Sequence, residues 1–275
     1  METASSTARR LIDTHCHLDF DAFDTNRDEV VSAAQRAGVT RIVNPGTDLD
    51  TSRAALALAD RYPGVYAGIG LHPNNTATFA PDALDGLREL ARHPRAIAIG
   101  EIGLDYYWHE SPPDVQRAAF EAQLALAAEL ELPVIIHNRE AGEDVIAVLE
   151  SWAPTLPPAL RDRPGVLHSF SAPQDVADRA LALGFYIGFT GPVTFKNAES
   201  LRLIAFRVPD DRILIETDAP FLTPHPYRGR RPNQPAYVRF IAERLAALRA
   251  VPDDVFAAQT TANAERLFRL PPEAE

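Results

Sequence analysis

The sequence predicts an α/β fold in which eight parallel strands close into a barrel with helices around it. Eight short apolar runs alternate with longer stretches of helical periodicity, as strands and helices do in a parallel β–α repeat. The runs are apolar almost throughout, which is typical of strands that are buried on both faces. The length of 275 residues suits one such barrel, which needs about 250 residues. An open, doubly wound sheet is the alternative, because alternation alone does not prove that the sheet closes.

The predicted strands are runs of β-branched and other apolar residues bounded by turn signals. In chain order they are 10–18, 39–47, 65–73, 96–105, 133–139, 165–170, 185–191 and 212–220. No glycine-rich G-x-G-x-x-G loop follows the first of them, so a dinucleotide-binding fold is not supported. Eight such strands in series, each followed by a helical stretch, favour a TIM-type (β/α)8 barrel.

The predicted helices lie between these strands and end at residues that stop a helix. The first ends at Gly38, the second ends at Pro63 and Gly64, and the third has Pro81 in its first turn. The full set is 27–38, 48–64, 81–94, 114–130, 142–152, 174–184, 199–208, 237–249 and 253–268. We expect residues 1–275 to form a single domain, with a disordered N-terminus at 1–9 and a C-terminal tail at 271–275.

Composition limits the classes of partner and compartment. The formal net charge is −11, so there is no global basic field of the kind that coats DNA, although a local phosphate site assisted by metal ions is compatible with it. Cys16 is the only cysteine, which excludes an intramolecular disulfide and suits a reducing compartment. Neither a secretory signal nor a run of 18 apolar residues is present. We expect a cytoplasmic protein with no membrane association and no obligate protein partner.

Histidines and carboxylates interrupt five of the apolar runs near their carboxyl ends, the edge at which barrel active sites are built. They are His15, His17, Glu101, Asp105, His137, His168 and Asp218. Alternate side chains of a strand share a face, so the two histidines of the first run point the same way. An unpaired polar group in a buried strand costs several kcal/mol. Their recurrence at one rim therefore predicts a metal centre.

Four imidazoles and two carboxylates exceed what one tetrahedral zinc ion needs, and they suit two divalent ions that share a carboxylate. With Glu101 between the ions, the predicted ligands are His15, His17 and Asp218 for one, and His137 and His168 for the other. Zn, Mn, Fe or Ni fits such mixed ligands and Mg is tolerated, so the identity stays open. Glu101 and Asp218 are also the predicted catalytic residues, because a ligating carboxylate such as Asp218 can accept the proton of the attacking water.

Four further residues are predicted to bind substrate. Arg139 follows His137 by two positions on the same strand, and a guanidinium group binds phosphate in a bidentate way. His72 ends the third run and is expected to donate a hydrogen bond to phosphate. Lys196 and Arg228 follow the seventh and eighth runs, where they could contact backbone phosphates. For each of these residues the competing interpretation is structural, such as an ion pair of Arg139 with Glu140 or a solvated loop charge.

The motifs resemble those of the TatD-related metal-dependent hydrolases, often called TatD DNases. The resemblance runs from about residue 10 to the C-terminus, through "IDTHCHLD", "GLHP", "GEIGLDY", "PVIIHNRE", "LHSFS", "GFTGPVTFK" and "ETDAPFLTP". It implies a TIM-type barrel, two divalent ions at the strand ends and hydrolysis of phosphodiesters in DNA. The family's metal ligands match the same six positions that the strand argument proposes. Ala172 and Asn74 depart from the usual motifs, and neither is a proposed ligand.

The leading functional hypothesis is a two-metal hydrolase of phosphodiesters, a 3′ to 5′ exonuclease-like deoxyribonuclease that acts on single-stranded or frayed DNA ends. The competing enzyme hypothesis is a deacylase, which would hydrolyse amides or aminoacyl esters with the same metals. Many amidases on this barrel bridge their metals with a carboxylated lysine at strand four, where Glu101 stands here, and the only lysine lies elsewhere. The third hypothesis is a metal-loaded adaptor without catalysis, against which the complete ligand set argues.

Overall fold

The computed structural model describes residues 10–271, in which eight strands form one sheet with every neighbouring pair parallel. The strands follow chain order around the sheet: β1 (Leu11–Asp13), β2 (Val39–Pro45), β3 (Val65–Ile69), β4 (Ala96–Asp105), β5 (Val134–Arg139), β6 (Gly165–Leu167), β7 (Tyr186–Phe189) and β8 (Ile213–Ile215). The predicted disordered N-terminus at 1–9 and most of the predicted tail, 272–275, lie outside the described residues.

The sheet closes because the chain segments that follow β1 and β8 hydrogen-bond to each other. The amide of Thr14 donates to the carbonyl of Ile215 over 3.3 Å, and the amide of Asp218 donates to the carbonyl of His15 over 2.8 Å. His17 in turn donates to the carbonyl of Ala219 over 2.8 Å. The predicted barrel is therefore confirmed, and the open doubly wound sheet is excluded.

The strands at this seam are shorter than predicted. The sequence predicts strands at 10–18 and 212–220, whereas β1 ends at Asp13 and β8 ends at Ile215. A side chain replaces the ladder here: the carboxylate of Asp13 accepts the amide of Thr217 over 2.8 Å and the amide of His15 over 3.3 Å. Asp218 also has a positive φ of 53°, which no regular strand contains. The residues after β1 and β8 are thus irregular backbone.

Nine α-helices are present among residues 10–271, each within a predicted helical segment or one residue beyond it. They are α1 (Arg27–Arg36), α2 (Leu49–Arg61), α3 (Ala83–Leu90), α4 (Pro113–Leu130), α5 (Gly142–Trp152), α6 (Gln174–Ala182), α7 (Glu199–Arg207), α8 (Val238–Arg249) and α9 (Asp253–Phe268). Local chemistry sets several starts: Asp48 and Thr51 form a capping box at α2, and Pro113 opens α4. None of the described helices is long and apolar enough to cross a membrane.

The last helix closes the amino end of the barrel. The side chain of Thr261 donates to the carbonyl of Arg10, and that of Asn263 donates to the carbonyl of Ile213, at the starts of β1 and β8. Apolar side chains of α9, including Leu267 and Phe268, pack with the inward-facing residues of the strands. With the amino end filled by this apolar core, the carboxyl end is left for polar side chains.

Candidate metal centre

Five of the six predicted ligands line a cleft of about 1350 Å³ at the carboxyl end of the barrel, and His15 lies fully buried among them. His15 and His17 are in the segment after β1, His137 is in β5, and His168 and Asp218 follow β6 and β8. Glu101 is placed differently from the prediction, because it lies in the middle of β4 rather than at its end. Asp105 occupies that end. The side chains nevertheless converge, because Glu101 is level with the end of β2: its amide donates to the carbonyl of Gly46, which directly follows that strand.

The first group consists of His15, His17 and Asp218, as the sequence predicts. The two Nε2 atoms of the histidines are 3.2 Å apart, and Asp218 Oδ1 lies 3.8 Å from His15 Nε2 and 3.6 Å from His17 Nε2. Four ligands at about 2.0–2.1 Å from a tetrahedral zinc ion lie about 3.3–3.4 Å from one another. The spacing of these atoms is therefore close to that of ligands around one ion.

Glu101 faces two groups with two different oxygens. Its Oε2 atom is 3.4 Å from His15 Nε2 and 3.7 Å from His17 Nε2. Its Oε1 atom is 3.4 Å from His168 Nε2 and 2.7 Å from His137 Nδ1. Glu101, His137 and His168 thus form a second group of possible ligands beside the first. This arrangement is the one that a carboxylate shared by two ions requires.

The charges of the centre fit cations. Burial raises the pKa of Glu101, but the charges of His168 and His15 outweigh it and hold that pKa well below its usual range. Burial likewise opposes ionisation of Asp218, and the interaction with His17, whose Nε2 atom lies 3.6 Å away, brings its pKa down. Within residues 10–271 the ion-pair partners of these two carboxylates are histidines alone. Ionised buried carboxylates surrounded by imidazole nitrogens are the donor set of a divalent metal site.

Asp105 orients His137 from the side away from Glu101. Its Oδ2 atom accepts a hydrogen bond from His137 Nε2 over 2.9 Å, and its Oδ1 atom accepts the amides of Tyr107 and Trp108. Burial raises the pKa of Asp105, but these hydrogen bonds bring it to about 2. Asp105 is therefore ionised and fixes the ring of His137, as outer carboxylates do for ligating histidines.

Glu216 is the carboxylate beside Nδ1 of His168, and sequence reasoning did not assign it a role. It is fully buried, and its Oε1 atom lies 3.2 Å from His168 Nδ1 and accepts the amide of Ser169. The hydroxyl of Thr14 donates to its other oxygen over 3.3 Å. Burial lowers the pKa of His168, but the charges of Glu216 and Glu101 raise it to about 9. The feature of the sequence that could have identified Glu216 is its position directly after an apolar strand, two residues before Asp218.

Backbone strain is concentrated around the cleft. Four non-glycine residues that line it have positive φ, between 43° and 56°: Glu140, Ser169, Asp218 and Leu222. Such conformations cost about 1–3 kcal/mol each and are found where the surrounding structure imposes them, often at functional sites.

Two further groups of possible ligands share members with the first two: His15, His168 and Glu216, and His72, Asp105 and His137.

The structure brings two of the four predicted substrate contacts into the cleft. His72 lies 3.7 Å from Glu101 Oε1 by its Nε2 atom, while its Nδ1 atom accepts the amide of Asn74. Burial and the charge of His137 lower the pKa of His72 to about 3. A neutral ring that accepts at Nδ1 carries its proton on Nε2, so His72 presents an N–H donor to the cleft.

Arg139 also lines the cleft, where its guanidinium group lies 4.1 Å from the centre of the Tyr107 ring. Lys196 and Arg228 are not among the cleft-lining residues; the guanidinium group of Arg228 lies 4.1 Å from the centre of the Phe195 ring instead. Trp108 and Phe221 line the cleft with 51% and 44% of their surfaces exposed. No sequence pattern identified these two aromatic residues, because their exposure depends on the path of their loops.

Comparisons with known proteins cover nearly the whole chain. The profile of the TatD-related DNase family matches residues 12–269. The chain is 44% identical over 261 residues to the uncharacterized metal-dependent hydrolase YabD of Bacillus subtilis, covering 94% of this chain and 99% of YabD. It is 39% identical over 265 residues to the 3′-5′ ssDNA/RNA exonuclease TatD of Musicola paradisiaca, covering 94% and 98%.

Solved structures agree with the sequence comparisons. YjjV of Escherichia coli, a TatD homologue, matches with a TM-score of 0.88 and 33% identity, over 96% of this chain and 100% of YjjV. Family, barrel and hydrolytic class are therefore confirmed together. The chain belongs to the TatD-related DNase family and is a metal-dependent hydrolase.

Proposed function

We propose that this hydrolase holds two divalent ions and cleaves phosphodiester bonds from the 3′ end of single-stranded or frayed DNA. The observation that carries the proposal is the position of Glu101, whose two carboxylate oxygens face two separate ligand groups. Two ions that share a carboxylate are the usual clamp for the attacking and leaving oxygens of a phosphate ester. The curated relative named as a 3′-5′ ssDNA/RNA exonuclease supports the direction and the strand type, and adds RNA as a substrate to be tested.

The proposed ligands are His15, His17 and Asp218 for one ion and His137 and His168 for the other, with Glu101 between them. When bound, divalent ions acidify the attacking water and neutralise charge on the phosphate. Asp218 is ionised and faces the first group through Oδ1, so its other oxygen would be free to accept the proton of that water. The same carboxylate then passes the proton to the leaving oxygen.

The substrate phosphate is proposed to lie between His72 and Arg139 at the cleft floor and rim. The Nε2–H group of His72 donates to a phosphate oxygen, and the guanidinium group of Arg139 binds the phosphate as a fork. Asp105 and Glu216 take no part in the chemistry, but they hold the rings of His137 and His168 in place. Because all eight strands belong to one sheet, we also propose that the chain forms a single domain.

The test is cleavage of 5′-labelled oligonucleotides of DNA and RNA with Mg²⁺ or Mn²⁺, comparing free and blocked 3′ ends. We expect a ladder that shortens one nucleotide at a time, only when the 3′ end is free. A bis-aryl phosphodiester assay in parallel reports on the metal centre itself. Absence of nucleic-acid cleavage with every ion, together with rapid hydrolysis of an aminoacyl ester, would replace the nuclease by a deacylase.

A further inference from the structure

A long acid-free segment leads away from the metal centre. Residues 219–242, which connect β8 to α8 and include its first turns, contain no Asp or Glu although the chain has 38 acidic residues. The same segment contains four arginines, at positions 228, 230, 231 and 239. The neighbouring loop after β7 carries the only lysine, Lys196, and is joined to this segment because the amide of His225 donates to the hydroxyl of Thr194. Positive charge is therefore concentrated on one side of an acidic protein.

Aromatic rings lie among these cations. The rings of Tyr227, Tyr237 and Phe240 form a cluster, with centroids 4.8 Å apart for the two tyrosines and 5.4 Å apart for Tyr227 and Phe240. The guanidinium group of Arg230 lies 5.1 Å from the centre of the Tyr227 ring, and that of Arg239 lies 4.5 Å from the centre of the Phe240 ring. We call these five residues the basic–aromatic surface.

The two arginines of this surface differ from those on the outer helices. Arg53, Arg88 and Arg179 each pair with a carboxylate, at 2.6 to 2.9 Å. Arg230 and Arg239 are exposed, and within residues 10–271 the partners of their guanidinium groups are aromatic rings rather than carboxylates. Their charges are therefore available to an anionic ligand.

The basic–aromatic surface is continuous with the cleft. Phe221 and Arg231 belong to the same segment and line the cleft. The loop between them is held in place because the hydroxyl of Thr223 donates to the carbonyl of Arg230, and the amide group of Asn233 donates to the carbonyl of Thr217 beside the metal centre. A ligand that leaves the cleft on this side meets Arg231 first and the basic–aromatic surface next.

A second rim of the cleft, formed by the loop after β5 and the start of α5, is rich in acidic residues. Glu140, Glu143 and Asp144 line the cleft there, and Arg139 is the one basic residue among 139–144. A phosphate chain several charges long is accommodated only where cations exceed acids. A polyanion in the cleft therefore meets more cations on the side of the acid-free segment than on the side of the loop after β5.

We propose that the basic–aromatic surface binds the body of a single-stranded nucleic acid whose terminal nucleotide lies in the metal cleft. The inference rests on the proposed nuclease function and extends it to the nucleotides that are not being cleaved. Arg230 and Arg239 contact backbone phosphates, and the rings of Tyr227 and Phe240, over which the two guanidinium groups lie, contact bases with the parts that remain exposed. Basic residues interleaved with aromatic rings are the recurring composition of sites that bind single strands without sequence preference.

The test compares Arg230→Ala/Arg239→Ala with the matched control Arg53→Ala/Arg92→Ala, which removes two exposed, ion-paired arginines and the same charge. For each protein, kcat/KM is measured on dT2 and dT12, and Kd is measured by fluorescence anisotropy on a cleavage-resistant phosphorothioate dT12. We expect the dT12 to dT2 ratio of kcat/KM to fall at least tenfold, and the Kd for phosphorothioate dT12 to rise at least tenfold, in the first variant only.

The outcomes separate this inference from the proposed function. If the wild-type protein cleaves oligonucleotides but the first variant behaves like the control, the surface does not bind the strand and the nuclease function stands. If no oligonucleotide is cleaved while dT12 binds and the first variant weakens that binding, the surface is confirmed and the nuclease function is wrong. Equal binding of dT12 by both variants would overturn the inference regardless of activity.

Discussion

At the scale of single residues, the centre depends on carboxylates that act on two neighbours at once. Glu101 faces both ligand groups, Asp105 joins His137 to two backbone amides, and Glu216 joins His168 to the amide of Ser169. Loss of one such carboxylate leaves several buried groups without a partner, at a cost of about 1–3 kcal/mol each. Loss of Glu101 should affect the centre most, because only Glu101 faces both ligand groups.

Glu101→Ala is expected to lower bound metal in both groups and to abolish hydrolysis, because one oxygen of Glu101 serves each group. His168→Ala is the comparison, since His168 belongs to the second group and should mainly empty that one. Metal per chain is measured by atomic emission after equilibration with Zn²⁺ or Mn²⁺. Two full equivalents in Glu101→Ala would contradict the shared-carboxylate arrangement.

Asp218→Asn tests the proposed base. The amide keeps the shape of the side chain and one ligand oxygen but accepts no proton, so turnover should fall by about 10²-fold or more, the usual scale for loss of a general base. Metal content should fall less than in Glu101→Ala. Single-turnover rates on a bis-aryl phosphodiester measure the effect at saturating metal. Near-normal rates with both ions bound would assign the proton to another group.

The sequence predicted the converging side chains better than their partners. A histidine or carboxylate in an apolar strand stands out in the sequence, which is why all six proposed ligands can be predicted from it. Glu216 is not predicted, because its role depends on contact with His168, 48 positions away in the chain. The cleft aromatics Trp108 and Phe221 were missed for a related reason, since exposed loop residues follow no periodicity.

At the scale of elements, all eight strands and nine helices were predicted in their order, and the errors lie at the strand ends. Periodicity reports burial, and the segments after β1 and β8 are as buried as the strands themselves. Their backbone is irregular because the side chain of Asp13 occupies the place of a ladder carbonyl. A burial pattern does not show whether a backbone amide bonds to a carbonyl of the neighbouring strand or to a side chain.

Helix α9 gives a prediction about stability. Phe268 is 3% exposed and packs inside the amino end of the barrel, so Phe268→Ala should lower the free energy of unfolding by about 3–5 kcal/mol. Val255, on the same helix, is 51% exposed, and Val255→Ala should change it by less than about 0.5 kcal/mol. Urea unfolding followed by circular dichroism measures both. Equal effects of the two substitutions would show that α9 does not close the barrel.

At the scale of the whole molecule, charge limits which nucleic acid the proposed nuclease can bind. If the function is as proposed, the net charge of −11 should repel a long duplex, whereas a few cations at the cleft and on the acid-free segment should bind a single strand. Binding should therefore weaken with salt only gradually, since each phosphate neutralised on a single strand contributes about 0.7 to the slope of log K against log salt.

Arg139→Ala should make that salt slope shallower by about 0.7, the value of one phosphate contact. It should also reduce cleavage of all sequences alike, because phosphate contacts carry no sequence information. The measurement is kcat/KM on two oligonucleotides of different sequence at several KCl concentrations. An unchanged slope, or a loss confined to one sequence, would remove Arg139 from the phosphate site.

The barrel seam also orders events while the chain is being made. Asp13 and Thr217, which bond across the seam, are 204 positions apart, and His15 and Asp218 belong to one ligand group. At about 5–20 residues per second of translation, the two histidines wait about 10–40 s for their carboxylate partner. Until then the nascent barrel has an unpaired edge at β1 and two of the three residues of the first ligand group. Barrel closure and completion of the first ligand group are thus one late step, which becomes possible only after Asp218 has been synthesised.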